Sequence, residues 1–411
     1  MRSVRLDRAA TTPCAAGLSF DTAQAILAAH AVPLGAESVL LAEAGCRVLA
    51  EPVRAAIDVP RYDAAAMDGF AVRDADLAAG VRIFDVVGAA YPGEPWLGEL
   101  RPAGAIRIMT GAMLPRGADR VLMRELVMAH GAAIELGGAI PGKDHVRRRG
   151  SDTIAGAMLL PASRMLDPRA LVVAAAADTG SVTVWRQPRV HVVATGDELA
   201  TPGAAARAEG VVPDSLSEAL LLIARQWGAK PIGASLVRDD PATLAAMAED
   251  AMAAADVLIL VGGASRGDRD FARSALMPLG LDLVFADVAI KPGKPVWLGR
   301  LGGSFVLGLP GNPTAAMTVA RLFLAPLLTG LLGRGTKAAL RWERLPLVAD
   351  LPAAGDREAF LCGELGPGGV HVIERQSASA QCLLARADLL VRRTAGAGPQ
   401  PAGRSIETLR F

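Results

Sequence analysis

The sequence predicts a multidomain α/β protein centred on a parallel, doubly wound sheet between about residues 189 and 333. Three observations carry this. In that region short apolar runs alternate with segments of helical period, the pattern of parallel strands joined by crossover helices. Each apolar run ends in Gly, Pro or charged residues, as at the ligand-facing edge of an open α/β sheet. Outside the region the chain breaks into shorter pieces punctuated by Gly and Pro, which predict smaller units. A length of 411 residues has room for roughly two to four domains. With 52% apolar but only 4% aromatic residues, the cores must be built from Ala, Val and Leu.

Residues 19–56 read as helical: "SFDTAQAILAAH" opens on a serine cap and "AESVLLAEAGCRVLAEPV" follows. Between 81 and 138, "VRIFDVV", "AIRIMT", "RVLMREL" and "AAIEL" read as strands of a small β domain. In the central region "RVHVVAT" is a strand, "SLSEALLLIARQWG" a helix ending at Gly228, and "KPIGASLV" a second strand. "PATLAAMAEDAMAAA" is a helix opened by Pro, "DVLILV" a third strand and "RDFARSALMPLG" a helix. "LVFADVAI", "PVWLG" and "SFVLGL" are strands, and "PTAAMTVARLFLAPLLTGLLG" is the closing helix. Beyond Gly335 short strands return around glycines ("FLCGEL", "GGVHVIE"), and 395–401 reads as a loose Gly/Pro stretch.

A net charge of +1 provides no strong attraction to nucleic acid or anionic membranes. Cys14, Cys46, Cys362 and Cys382 form no C-x-x-C pair, so free thiols are expected rather than a disulfide framework or zinc site. The opening "MRSVRLDRAATTPCAAG" lacks the apolar core of a signal peptide. No apolar run approaches the ~18 residues of a membrane span. The expectation is a soluble cytoplasmic protein with neither nucleic-acid nor membrane partners.

The chemistry gathers at the strand ends. "HVVAT" is followed by Gly196, Asp197 and Glu198, and "ASLV" by Arg238, Asp239 and Asp240. "VLILV" opens onto "GGASRGDRD", with Gly262, Gly263, Ser265, Asp268 and Asp270. "KPGKP" brings Lys291 and Lys294, and "PGNP" brings Pro310, Gly311 and Asn312 to the start of the last helix. Converging carboxylates suit a hard cation such as Mg²⁺, with Asp268, Asp270 and Glu198 as candidate ligands. Lysines suit an anion and glycines permit close backbone approach, so together they point to a phosphate-bearing ligand. Each piece also has a plainer reading: Asp before a helix caps it, and "PGNP" is a turn, although a turn at a helix N-terminus can also meet an anion. Gly263 to Gly267 spell G-x-S-x-G between strand and helix, which makes Ser265 a candidate esterase nucleophile. The only downstream histidine, His371, falls in another predicted domain. No Walker A or G-x-G-x-x-G pattern supports a P-loop ATPase or a dinucleotide dehydrogenase.

"AAAMDGFAV", "MTGAMLPRGAD", "ATGDEL", "GGASRGDRD", "KPGKP" and "LPGNP" occur in that order. Together they resemble the molybdopterin molybdenumtransferase family, MoeA in bacteria and the gephyrin E domain in animals, from about Phe20 onward. The resemblance implies four subdomains: an elongated helical one (19–57 and 139–185), a β one (58–138), the molybdopterin-binding α/β domain (186–335) and a C-terminal β barrel (336–411). It implies a homodimer with a composite active site, and a molybdopterin adenylyltransferase as partner. In the implied reaction adenylylated molybdopterin and molybdate are substrates; the phosphoanhydride is cleaved, AMP leaves, and molybdenum is seated on the dithiolene with Mg²⁺ assistance. Asp63 and Asp68 match the Met-Asp-Gly loop, Thr110 the Thr-Gly loop, and Asp197 and Glu198 the Gly-Asp-Glu motif. Asp268, Asp270, Lys291 and Lys294 match the family's acids and lysines, and Arg357 and Ser377 its basic and hydroxyl residues in the last domain. The implied catalytic residues are Asp63, Asp68, Glu198 and Asp268. Thr110, Asp197, Gly262, Gly263, Ser265, Asp270, Lys291, Lys294, Pro310, Gly311 and Asn312 are the implied substrate-binding set.

The chain departs from the family pattern at Ala64 and Ala65, where Asn-Ser is usual, and at Leu216, where Asn is usual. Arg266 and Arg269 replace a small apolar residue and an aromatic. Lost hydrogen-bonding groups and two added charges are expected to retune the site. The alternative is a paralogue that binds or delivers the cofactor, or a scaffold of the gephyrin kind.

Overall fold

The structure is a computed structural model and describes residues 17–207, 209–262 and 271–411. The chain divides into two units, residues 38–184 and the remainder.

In the larger unit six strands form one sheet, in the order Lys230–Val237, Arg189–Thr195, Val257–Val261, Ser304–Leu309, Trp297–Leu301 and Asp282–Ala286. The first four run parallel, whereas Trp297–Leu301 is antiparallel to both its neighbours. The sheet is thus mixed, not wholly parallel as expected. The cause is local: only Gly302 and Gly303 separate the paired Leu301 and Ser304, and a two-residue connection joins antiparallel strands only.

Period-two alternation divides the sheet faces. Val190, Val192 and Ala194 pack with the Ser217–Gln226 helix, while Val193, Leu258 and Leu260 pack with Pro241–Met252. Both faces are covered, which is why the strands read as unbroken apolar runs.

The closing helix, Pro313–Leu331, contains a π turn at Ala320–Leu324. It corrects the expectation about apolar runs: among the described residues it is the one helix long and apolar enough to cross a membrane, with mean hydropathy 1.5. Its window is 94% buried inside the protein, so it serves as a core helix.

Helix Phe20–His30 forms as expected, with the Ser19 hydroxyl accepting from Thr22 N–H. It lies with the larger unit and not with 139–185: the Phe20 ring stands 5.8 Å from Phe323 and 5.0 Å from Phe360. Residues 36–53 form no α-helix. Ala36–Leu40 is a strand and Leu41–Glu43 a single 3-10 turn. Cys46 at φ +63 interrupts any helix, and Val48 and Leu49 bridge Met165 and Val184. Strand pairing overrides the local helical period here.

The C-terminal sheet runs Ile290–Lys291, Glu358–Gly366, Leu389–Arg393, Ser405–Arg410, Glu343–Pro346, with Gly369–Val372 on Glu358–Gly366. A bridge from Leu347 to Val370 curls it closed. "LVFADVAI" therefore splits: its end crosses into this second sheet. The stretch 395–401 is tied down, since Leu351 and Gln400 exchange both backbone hydrogen bonds.

The smaller unit carries a six-stranded sheet, Arg120–Met123, Gly69–Val72, Gly104–Ile108, Ile83–Ala90, Ala133–Leu136, Val127–His130. Gly69–Val72, part of the "AAAMDGFAV" motif, is a strand of this sheet.

Candidate active site

The parallel register aligns Thr195 with Val237, Ala194 with Val261, and Val261 with Leu309. Their following loops therefore leave one edge of the sheet. Ala286 pairs with Trp297, and Trp297 with Gly308, so the lysine loop emerges at the same edge. A cleft of about 730 Å³ opens there, lined by Glu198, Asp214, Asp239, Gly262, Gly311 and Asn312 among others. Gly263, Ser265, Arg266, Asp268, Arg269 and Asp270 lie outside the described residues.

Gly262 has φ +92, and a Cβ there would stand 2.6 Å from the Thr195 carbonyl oxygen. A Cβ on Gly311 would lie 3.7 Å from the Gly262 Cα, so two glycine loops meet at the cleft. Gly262→Ala should lower stability by about 1–3 kcal/mol through strain and overpacking, read as a drop in the urea midpoint. An unchanged midpoint would show that the turn can rearrange.

Glu198 is exposed, and among the described residues its carboxylate makes no hydrogen bond or ion pair. Asp197 accepts from the Asp239 backbone N–H at 3.3 Å and faces Arg238 Nε at 3.6 Å. Asp240 does not join the cleft group: it caps the Pro241–Met252 helix by accepting from Thr243 N–H at 2.7 Å. Bonds from the Thr243 hydroxyl and N–H hold the Asp240 carboxyl below its usual range. Asp214 accepts from the N–H groups of Leu216 and Ser217. Leu216 is 4% exposed, so this departure from the family pattern serves core packing.

The "PGNP" turn also departs from expectation. Pro313 has no N–H, and Thr314 N–H donates to Ala378 O at 3.1 Å, so the helix start is partly closed to an anion. Asn312 holds the N-cap position yet its side chain makes no capping bond, which leaves the amide available to the cleft.

Among the described residues no group of three or more His, Cys, Asp or Glu is gathered to hold a metal. Mg²⁺ commonly takes one or two carboxylates with substrate phosphates and waters. Glu198 and Asp239, lining one cleft, are donors of that kind.

A second cavity of about 500 Å³ shares Pro295, Pro310 and Asn312 with the first. Lys291, Lys294 and Arg357 line it. Among the described residues neither lysine pairs with a carboxylate, while Arg357 stands 3.9 Å from the exposed Asp356. Ser377 bonds to Ser379 at 3.1 Å and does not line this cavity.

In the smaller unit the register Gly69 to Ile108 brings Asp68 beside Thr110. Thr110 donates both its N–H and its hydroxyl to Asp68 Oδ1, each at 2.8 Å. Those two bonds hold the Asp68 carboxyl below its usual range. Asp68, Arg107 and Arg124 line a cavity of about 510 Å³. Gly69 is required by the sheet, since a Cβ would stand 1.9 Å from the Leu122 carbonyl oxygen. Asp63 has a bracing role: it accepts from Arg149 N–H at 2.8 Å and Arg148 Nη1 at 3.0 Å. Arg148 also reaches Asp144 at 2.6 Å. The sequence signal for this brace is the run of three adjacent arginines, Arg147 to Arg149, which belongs to none of the six motifs. Ala64 and Ala65 are buried and pair with Arg147 and Val146, so they face packed backbone.

A doubly wound sheet with a glycine-edged cleft and an adjoining cavity lined by Lys291, Lys294 and Arg357 defines an α/β protein with its candidate site at the carboxyl edge of the sheet. Residues 18–178 match the MoeA N-terminal region (domain I and II), and residues 191–330 match a probable molybdopterin binding domain. The molybdopterin molybdenumtransferase of Synechococcus elongatus is 34% identical over 88% of this chain and 92% of its own. That of a Nostoc species is 34% identical over 80% and 77%. A solved MoeA structure from Pyrococcus horikoshii superposes with TM-score 0.82 at 30% identity, covering 96% of this chain and 99% of that one. The chain belongs to the molybdopterin molybdenumtransferase family.

Proposed function

We propose that this protein, a transferase of molybdenum cofactor biosynthesis, seats molybdenum from molybdate on adenylylated molybdopterin and releases AMP. The observation that carries the reading is the pair of adjoining cavities, one edged by glycines and carboxylates, the other by Lys291, Lys294 and Arg357. Gly262 and Gly311 let the phosphoanhydride approach the backbone, and Asn312, shared by both cavities, orients the ligand between them. The cationic cavity receives molybdate, whose charge the lysines and arginine neutralise. Glu198 and Asp239 would hold Mg²⁺, which would supply neutralising positive charge to the anionic ligand. Family membership displaces the esterase reading of Ser265.

The same reading makes the protein a cytoplasmic two-fold dimer whose cleft is completed by the Asp68 loop of the other subunit, with an adenylyltransferase supplying the substrate. The free thiols of Cys46, Cys362 and Cys382 accord with a reducing compartment.

Purified protein given adenylylated molybdopterin and molybdate should release AMP and retain molybdenum on the pterin. Lys291→Ala should raise the molybdate KM about tenfold or more, with the thermal midpoint unchanged because the lysine is exposed and pairs with none of the described residues. Tight pterin binding without AMP release would instead identify a carrier.

A further inference from the structure

We infer that Arg393 is a positioning residue for the oxyanion: a buried guanidinium whose missing counterion is the ligand held by Lys291, Lys294 and Arg357. This rests on the reading of the second cavity as the molybdate pocket. Arg393 ends the Leu389–Arg393 strand, lines that cavity, and is 3% exposed. Its Nη2 donates to the carbonyl oxygens of Pro352 and Gly398, each at 2.9 Å, and both acceptors are neutral. Its Nη1 is buried with no hydrogen-bond partner. No carboxylate pairs with it among the described residues.

The neighbouring arginine shows what a compensated guanidinium looks like in this sheet. Arg392 is held by Glu358 at 2.5 Å and Asp21 at 2.9 Å, and lies over the Phe20 and Trp342 rings. Arg321 is a second buried arginine with an unpartnered nitrogen, but its guanidinium is stacked over Trp227 at 4.9 Å and lines neither cavity. Arg393 is the case in which an uncompensated buried charge borders an empty space. Such a charge is costly in isolation, and a negative charge in the adjoining space offsets it.

The charge balance of the cavity selects that partner. Among the described residues four cationic side chains line it against one carboxylate, Asp356, whose side chain is 95% exposed. A doubly charged oxyanion offsets most of this excess of three positive charges. Arg393 acts from behind the cavity wall through its field, since its free nitrogen is occluded. A buried charge is screened by salt far less than the exposed Lys291.

Molybdate binding to the full-length protein, followed by calorimetry, tests this. Arg393→Met should weaken binding about tenfold, the effect of one charge acting through a partly desolvated medium, and Arg393→Lys should restore most of it. In turnover the molybdate KM should rise with kcat unchanged. The Lys291 contribution should fade with added salt while the Arg393 contribution persists. Wild-type binding by Arg393→Met, with Lys291→Ala impaired, would overturn the role of Arg393 and leave the pocket reading standing. Wild-type binding by both variants would overturn the pocket itself. Should Arg393→Met fail to fold, ¹⁵N-arginine NMR of the wild-type protein decides: a buried guanidinium resonance that moves on molybdate titration supports the inference, and no movement overturns it.

Discussion

Glu198→Gln should abolish the proposed AMP release and molybdenum insertion while leaving the thermal midpoint unchanged. The substitution keeps the shape of the side chain and removes only its charge. Glu198 is exposed at the cleft, and its carboxylate is bonded to none of the described residues. Surface changes of that kind shift stability by within about 0.5 kcal/mol, so a loss of activity reports chemistry. Losing a group that handles a proton or a cation at the reacting centre costs on the order of 10²- to 10⁴-fold in rate. Activity within a few-fold of wild type would remove Glu198 from the mechanism. A lowered midpoint would mean that the residue supports the fold.

Co-expression of Asp68→Ala with Glu198→Gln should restore activity that neither variant has alone. In the proposed two-fold dimer, the Asp68 loop of one subunit completes the cleft of its partner. A mixed dimer then holds one cleft with both substitutions and one with neither, as isologous symmetry requires. Random assortment makes about half the dimers mixed, so roughly a quarter of wild-type clefts should return. The mixed species can be isolated on two affinity tags and assayed directly. Inactive mixed dimers would place both carboxylates in the same subunit's site. The Asp68 loop suits this test because Thr110 holds its carboxylate in one orientation.

The central sheet was legible because its signals are local. Runs such as Val257–Val261 are apolar at every position, the helices between them carry period 3.6, and Asp240 with Pro241 marks a helix start in two residues. The glycine and charge clusters at the strand ends likewise marked the ligand edge, since parallel strands must deliver their C-terminal loops to one side.

What the sequence by itself determined was therefore the order of strands and helices, the edge at which the chemistry gathers, and through six ordered motifs the family. Only the tertiary structure decided which of the candidate groups are available to a ligand. Asp240 is engaged by its own helix, Asp63 by Arg148 and Arg149, and Thr314 N–H by Ala378, whereas Glu198 is not held by any described residue. Only the tertiary structure turned residues 36–53 away from helix, and only it placed Arg393 at the wall of the lysine cavity. The reason is range. Propensity and periodicity act over a few neighbouring residues, whereas a carboxylate's partner or a guanidinium's lack of one depends on chain segments tens to hundreds of residues away, brought together by burial.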